Sequence, residues 1–300
     1  MSEAFIPVDL YNPGQVFACL GFMEAADILL GGAEGRFDWA DGRSRFVLRA
    51  DGEADPAQTV IAFLHAAKVQ AVAPHGSGLK AKEPGVETVE AEDGLYPCPA
   101  PETPSALPCR LVGPGGVIPI SHWIASPPDH VSADLDTVKF WAGMAGYSGA
   151  ALVRDLLAQT QVWSGNQLAA AAGDPFGNID PDAVSALQSS NLRFDYRAGT
   201  IPFDAGFSTN AHGHYAMRGF PLVDLLAAVG LEHARPRRLE SKLSYAYAVW
   251  PVSLPCVLAR AALGGAVFGF TPRHFRIELG WPGQENQARA IKSAREDFQP

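Results

Sequence analysis

Between residues 233 and 276 the chain carries seven basic side chains and one acid, Glu240. Arg235, Arg237, Arg238 and Lys242 cluster after a predicted helix, and Arg273 and Arg276 fall on a predicted strand. Tyr245, Tyr247, Phe268, Phe270 and Phe275 are interleaved with them. Guanidinium groups fork onto phosphate oxygens, and exposed aromatic rings stack on unpaired bases. These six basic residues are therefore the candidate nucleic-acid ligands. The competing reading buries the aromatics in the core and leaves the arginines as a solvated face.

Three other constellations bear on chemistry. Gly146-Tyr147-Ser148-Gly149-Ala150 lies between a predicted strand and a predicted helix, the setting of a nucleophile elbow. Ala150 replaces the final glycine, and a triad would have to draw on Asp195 or Asp204 with His212 or His214. The simpler expectation is that Ser148 caps the helix. His212-Gly213-His214 supplies two imidazoles, too few for a metal site without further ligands. Glu24 and Asp27 share one side of a helix, where pairing with an arginine is favoured over acid–base work. No Gly-x-x-x-x-Gly-Lys phosphate loop is present, and Gly31-Gly32-Ala33-Glu34-Gly35 has an acid where a phosphate would sit. A non-enzymatic protein with no cofactor and no metal is expected.

These residues are carried by a chain of 300 residues, 47% hydrophobic and 18% charged, in the range of folded proteins. Net charge is −9, unevenly spread: residues 1–200 hold 12 basic and 24 acidic side chains, residues 201–300 hold 11 and 8. Phosphate contacts are therefore to be sought in the C-terminal third. Cys19, Cys98, Cys109 and Cys256 form no Cys-x-x-Cys pair, so small buried apolar roles are expected. Glu3 and Asp9 do not fit a signal peptide, and Arg260 interrupts the longest apolar stretch, Leu254 to Phe270. A cytoplasmic protein without membrane contact is expected.

The elements begin with a short strand through Val8 and Leu10, then a helix capped by Asn12, with Pro13 in its first turn and Gln15 completing a capping box. From 16 to 30 its apolar residues go almost all round, which marks a buried helix. A hairpin follows over Phe37–Ala50 about Asp41-Gly42, then a helix capped by Asp55 and a strand at 69–72. The β-α-β-β-α-β order predicts an α+β fold with a ferredoxin-like N-terminal module, 1–73, and a mixed α/β remainder. Residues 74–109 are rich in Pro and acid and are read as an extended insertion. A mixed α/β domain is assigned to 110–283. It contains a hairpin about Gly113-Pro114-Gly115-Gly116, strands at 137–141 and 192–196, and a short helix at Asp180-Pro181. A helix from Phe220 to Gly230, a strand at 243–250, a helix at 254–263 and a strand at 274–279 complete it. Residues 284–300 are read as a polar tail, frayed or helical.

The opening stretch, Ile6-Pro7-Val8-Asp9-Leu10-Tyr11-Asn12-Pro13-Gly14-Gln15-Val16-Phe17-Ala18-Cys19-Leu20-Gly21-Phe22-Met23-Glu24-Ala25-Ala26-Asp27, resembles that of a CRISPR-associated family of type I-U, also called type I-G. The likeness continues at Gly35–Trp39, Arg45–Ala50, Ser121–Trp123, Lys139–Gly143, Asp174–Phe176, Ala246–Trp250 and Leu258–Gly265. That family takes the large-subunit place in an RNA-guided effector complex. The resemblance implies a non-catalytic subunit of a Cascade-like antiviral complex, with guide RNA, target DNA and the other effector subunits as partners. In such complexes base pairing reads the target, and protein contacts the backbone and a short flanking motif.

Overall fold

The computed structural model describes residues 1–92, 103–125, 134–135, 148–177, 192, 194–197, 219–241, 243–280 and 290–297. In chain order the described elements are β1 (Ser2–Pro7), α1 (Pro13–Leu30), β2 (Glu34–Asp38), β3 (Arg45–Ala50), α2 (Pro56–Ala66), β4 (Lys68–Ala73) and β5 (Glu87–Glu90). Then come β6 (Cys109–Gly113), β7 (Gly116–Ile120), β8 (Ile124–Ala125), β9 (Asp134–Leu135), α3 (Gly149–Gln161), α4 (Gly165–Gly173) and α5 (Pro221–His233). The last are β10 (Arg237–Arg238), β11 (Ser244–Val249), β12 (Leu254–Pro255), α6 (Cys256–Leu263), β13 (Arg273–Gly280) and β14 (Ala290–Glu296).

The fold is α+β. Its N-terminal β-α-β-β-α-β run keeps the antiparallel β1-β3-β2 order of a ferredoxin-like module, and β12 adds a fourth strand beside β2. β4 does not close this sheet against β1. It pairs with β5 and β6 in a second sheet, ordered β5-β4-β6-β7. A third sheet runs β10-β11-β13-β14. One hydrophobic cluster joins residues from Ala4 to Ile291 and spans the predicted boundaries at 73 and 109.

α1 is the centre. Residues Pro13 to Ala26 are all buried, as a helix apolar on most faces requires. It is long and apolar enough to cross a membrane, but most of it is enclosed by the rest of the fold. Its partner is α5, and the two backbones touch. A Cβ on Gly21 would lie 1.9 Å from the Leu226 carbonyl oxygen, and one on Gly230 would lie 2.2 Å from that of Phe17. Gly230 therefore does not end its helix as expected. α5 runs on to His233, and the glycine is where the helices cross.

Several local expectations are met. The hairpin forms β2 and β3, Asp55 caps α2 by accepting from Gln58 N, and Ser148 caps α3 by accepting from Ala151 N. Others change. The first strand precedes Val8, which lies with Leu10 in the turn into α1. Asn12 makes no side-chain cap; its Nδ2 donates to Asp195 Oδ1 at 2.9 Å, and Gln15 Oε1 accepts from Asp9 N at 2.7 Å. The Asn-Pro-Gly-Gln stretch instead grips Phe194–Arg197, with Gly14 pressed on the Phe194 carbonyl. Described residues 192 and 194–197 are turn and loop rather than strand. In the 74–109 segment, β5 is paired and Val86, Ala106 and Leu107 are buried. The tail is neither frayed nor helical over 290–296, because β14 pairs with β13. The elements predicted at 137–141 and Asp180-Pro181 lie outside the described residues.

Candidate nucleic-acid interface

The candidate arginines gather on the third sheet, and register decides which of them can act together. α5 ends at His233 with Ala234 as its C-cap, and Arg235 follows at the surface. Arg237 and Arg238 form the short edge strand β10. Both are exposed, and among the described residues neither makes an ion pair. Lys242 lies outside the described residues.

The interleaved aromatics are not available to bases. Tyr245, Tyr247 and Phe275 are buried: every residue of β11 is buried, and Phe275 is on the core-facing side of β13. Tyr247 stacks on Phe275 at 5.1 Å, meets Phe17 edge-on at 5.9 Å, and donates its hydroxyl to Leu10 O at 2.6 Å. Phe268 and Phe270 stack on each other at 5.4 Å and pack, half-buried, against the core. The core reading of the aromatics is the correct one, and only Phe268 and Phe270 retain partial exposure.

Arg273 is committed elsewhere. Its Nε and Nη2 fork onto Glu296 at 2.7 and 2.8 Å, and its guanidinium lies 5.6 Å over Trp39 and 5.4 Å over Phe275. Tyr11 donates its hydroxyl to the same carboxylate at 2.9 Å. The Arg273 hydrogen bonds, helped by Tyr11, hold Glu296 below its usual carboxylate range, while the bond to Glu296 pushes the Tyr11 phenol up. A depressed folded-state pKa stabilises above the unfolded carboxylate value, about 4.3, and that contribution is lost as pH falls through the lower folded value. Glu296→Gln is therefore expected to cost about 1 kcal/mol near neutral pH, and progressively less as pH falls below about 4. Thermal melts across that range check it, and curves that stay parallel to wild type exclude the pair as a source of acid sensitivity.

Arg276 lies on the opposite face of β13 from Phe275. The register sets Arg237 beside Ala246, Ala246 beside Arg276, and Arg276 beside Arg295. Directly paired antiparallel residues project to the same side, so three arginines and one alanine make a row across all four strands. Arg295 lies in the segment whose polar composition predicts a tail, and the structure makes it part of β14. The strand shows no clean alternation, because its register shifts between Glu278 and Leu279: Ile291 and Ala294 lie on one side, Ser293 and Arg295 on the other.

The other candidates settle into structural roles. Glu24 is buried and accepts two 2.7 Å bonds from Arg260, and Asp27 Oδ1 accepts from Ala33 N at the end of α1. Ser148 is buried, and its N–H donates to Glu83 Oε1. Asp195 is forked by Arg197, which also lies 3.9 Å over the Phe220 ring. Asp204, His212 and His214 lie outside the described residues, and among the described residues no three His, Cys, Asp or Glu cluster as metal ligands. Burial pushes the thiols of Cys19, Cys109 and Cys256 up, as expected of small apolar residues. No protein-family model, curated protein or solved structure matches this chain.

Proposed function

We propose that this protein is a non-catalytic subunit of a type I-U (I-G) CRISPR effector complex. In that role it works in the cytoplasm with the other effector subunits and helps hold guide RNA and target DNA. The resemblance of the opening stretch supplies the family. The observation that carries the nucleic-acid role is the exposed run of Arg235, Arg237 and Arg238 at the edge of the third sheet, in a chain that is otherwise acidic. Guanidiniums at an exposed edge suit backbone phosphates, which position a protein without reading sequence.

A purely structural subunit is the second reading. It is favoured by the net charge of −9 and by the exposed apolar side chains Val257, Leu258 and Val267. Purification of the tagged protein from its host separates the two, since RNA is expected with the first and only protein with the second. In the reconstituted complex, replacing all three arginines by Ala is expected to lower the slope of log affinity against log salt by roughly two to three for duplex DNA. Matched and mismatched targets should weaken alike. A triple variant that assembles and keeps the wild-type slope would remove these arginines from the interface.

A further inference from the structure

We infer that Arg276 and Arg295 form a phosphate subsite that takes one backbone phosphate of a nucleic-acid strand, an inference that rests on the nucleic-acid role proposed above. The two residues are direct cross-strand partners on β13 and β14. Like charges placed opposite one another repel, so the pairing is unfavourable unless an anion is shared between them. Arg276 Nε is buried and has no hydrogen-bond partner among the described residues. A buried donor left without an acceptor is the exception in folded proteins. The neighbouring acids do not supply that acceptor. Glu278, diagonal to Arg295, accepts from Ser244 Oγ at 2.7 Å, and Asp297, diagonal to Arg276, makes no ion pair among the described residues.

The surroundings suit a phosphodiester. Adjacent strands lie about 4.8 Å apart, so the paired guanidiniums can approach one tetrahedral oxyanion from two sides. The next position in the row, Ala246, is itself buried and separates this pair from Arg237. The subsite is therefore confined to the β13–β14 end of the sheet, where Arg295 is exposed and Arg276 half-buried.

The test uses the full-length chain and the double variant Arg276→Gln/Arg295→Gln, with two probes. Inorganic phosphate at fixed ionic strength is expected to raise the melting temperature of wild type and not of the variant. The variant should also melt higher than wild type at low salt, because the repulsion is gone. A labelled single-stranded 20-mer, as RNA and as DNA of the same sequence, is expected to lose about one unit of salt slope in the variant. Arg276→Lys/Arg295→Lys, which keeps the charge, should recover most of that slope. Binding of one oligomer and not the other assigns the phosphate to RNA or to DNA. If the Gln variant keeps the phosphate response and the wild-type slope, the subsite is wrong. Loss of slope in Arg237→Ala/Arg238→Ala alone would then leave the nucleic-acid role standing without it. Phosphate stabilisation with neither oligomer bound overturns the nucleic-acid assignment itself.

Discussion

Gly21→Val is expected to abolish cooperative folding. A Cβ at this position would sit 1.9 Å from the Leu226 carbonyl oxygen and 2.7 Å from its carbon, and both are helix backbone. A side-chain tip could swing away, whereas a helical carbonyl cannot move without its helix. The crossing is tight from both sides, since a Cβ on Gly230 would lie 2.9 Å from Gly21 N. Making room means separating α1 from α5 along their whole contact, which unpacks Phe17, Leu225 and Leu226 from the core. Overpacking a core usually costs about 1–3 kcal/mol. Backbone against backbone puts this case in the tail beyond about 4 kcal/mol, a large part of a typical stability of about 5–15 kcal/mol. Gly165→Ala is the control, with open space around its added methyl in the first turn of α4; its effect should stay within about 0.5 kcal/mol. Circular-dichroism melts decide the matter, and a Gly21→Val protein that melts like wild type would mean the helices do not cross there.

Arg260→Ala is expected to destabilise the protein by about 3 kcal/mol, the lower end of the cost of breaking a buried ion pair. Glu24 is 3% exposed on α1 and takes both of its charged hydrogen bonds from Arg260. Removing the guanidinium strands the carboxylate among apolar neighbours, where an unpaired charge is expensive. The lower end applies because the Arg260 side chain is itself 34% exposed, so water can partly replace it. The pair as a whole is worth less than its breakage suggests. Glu24→Leu/Arg260→Met should therefore recover most of the loss. Denaturant unfolding of the two single variants and the double variant supplies the cycle. Strict additivity of the single effects would show that the residues do not act as a pair.

The sequence alone determined what depends on neighbours along the chain. The all-round apolar pattern of 16–30 made α1 a buried helix, and its acids on one side predicted an arginine partner, found in Arg260. Asp41-Gly42 turned the hairpin, and Asp55 and Ser148 capped their helices, because caps and turns satisfy backbone groups within a few residues. Tertiary structure decided everything that needs a distant partner. Gly230 looks like a helix stop until α1 is laid against it, since a glycine suits a terminus and a close crossing equally. Asn12 has the makings of a cap, yet its amide goes to Asp195, 183 positions away. β4 alternates no differently whether it pairs with β1 or with β6, and its choice rests on packing across the whole core. The arginine row shows the same limit. Composition put the charge in the C-terminal third, but only strand register sets Arg276 against Arg295 and turns Arg273 towards Glu296, because a shift of one residue moves every side chain to the other face.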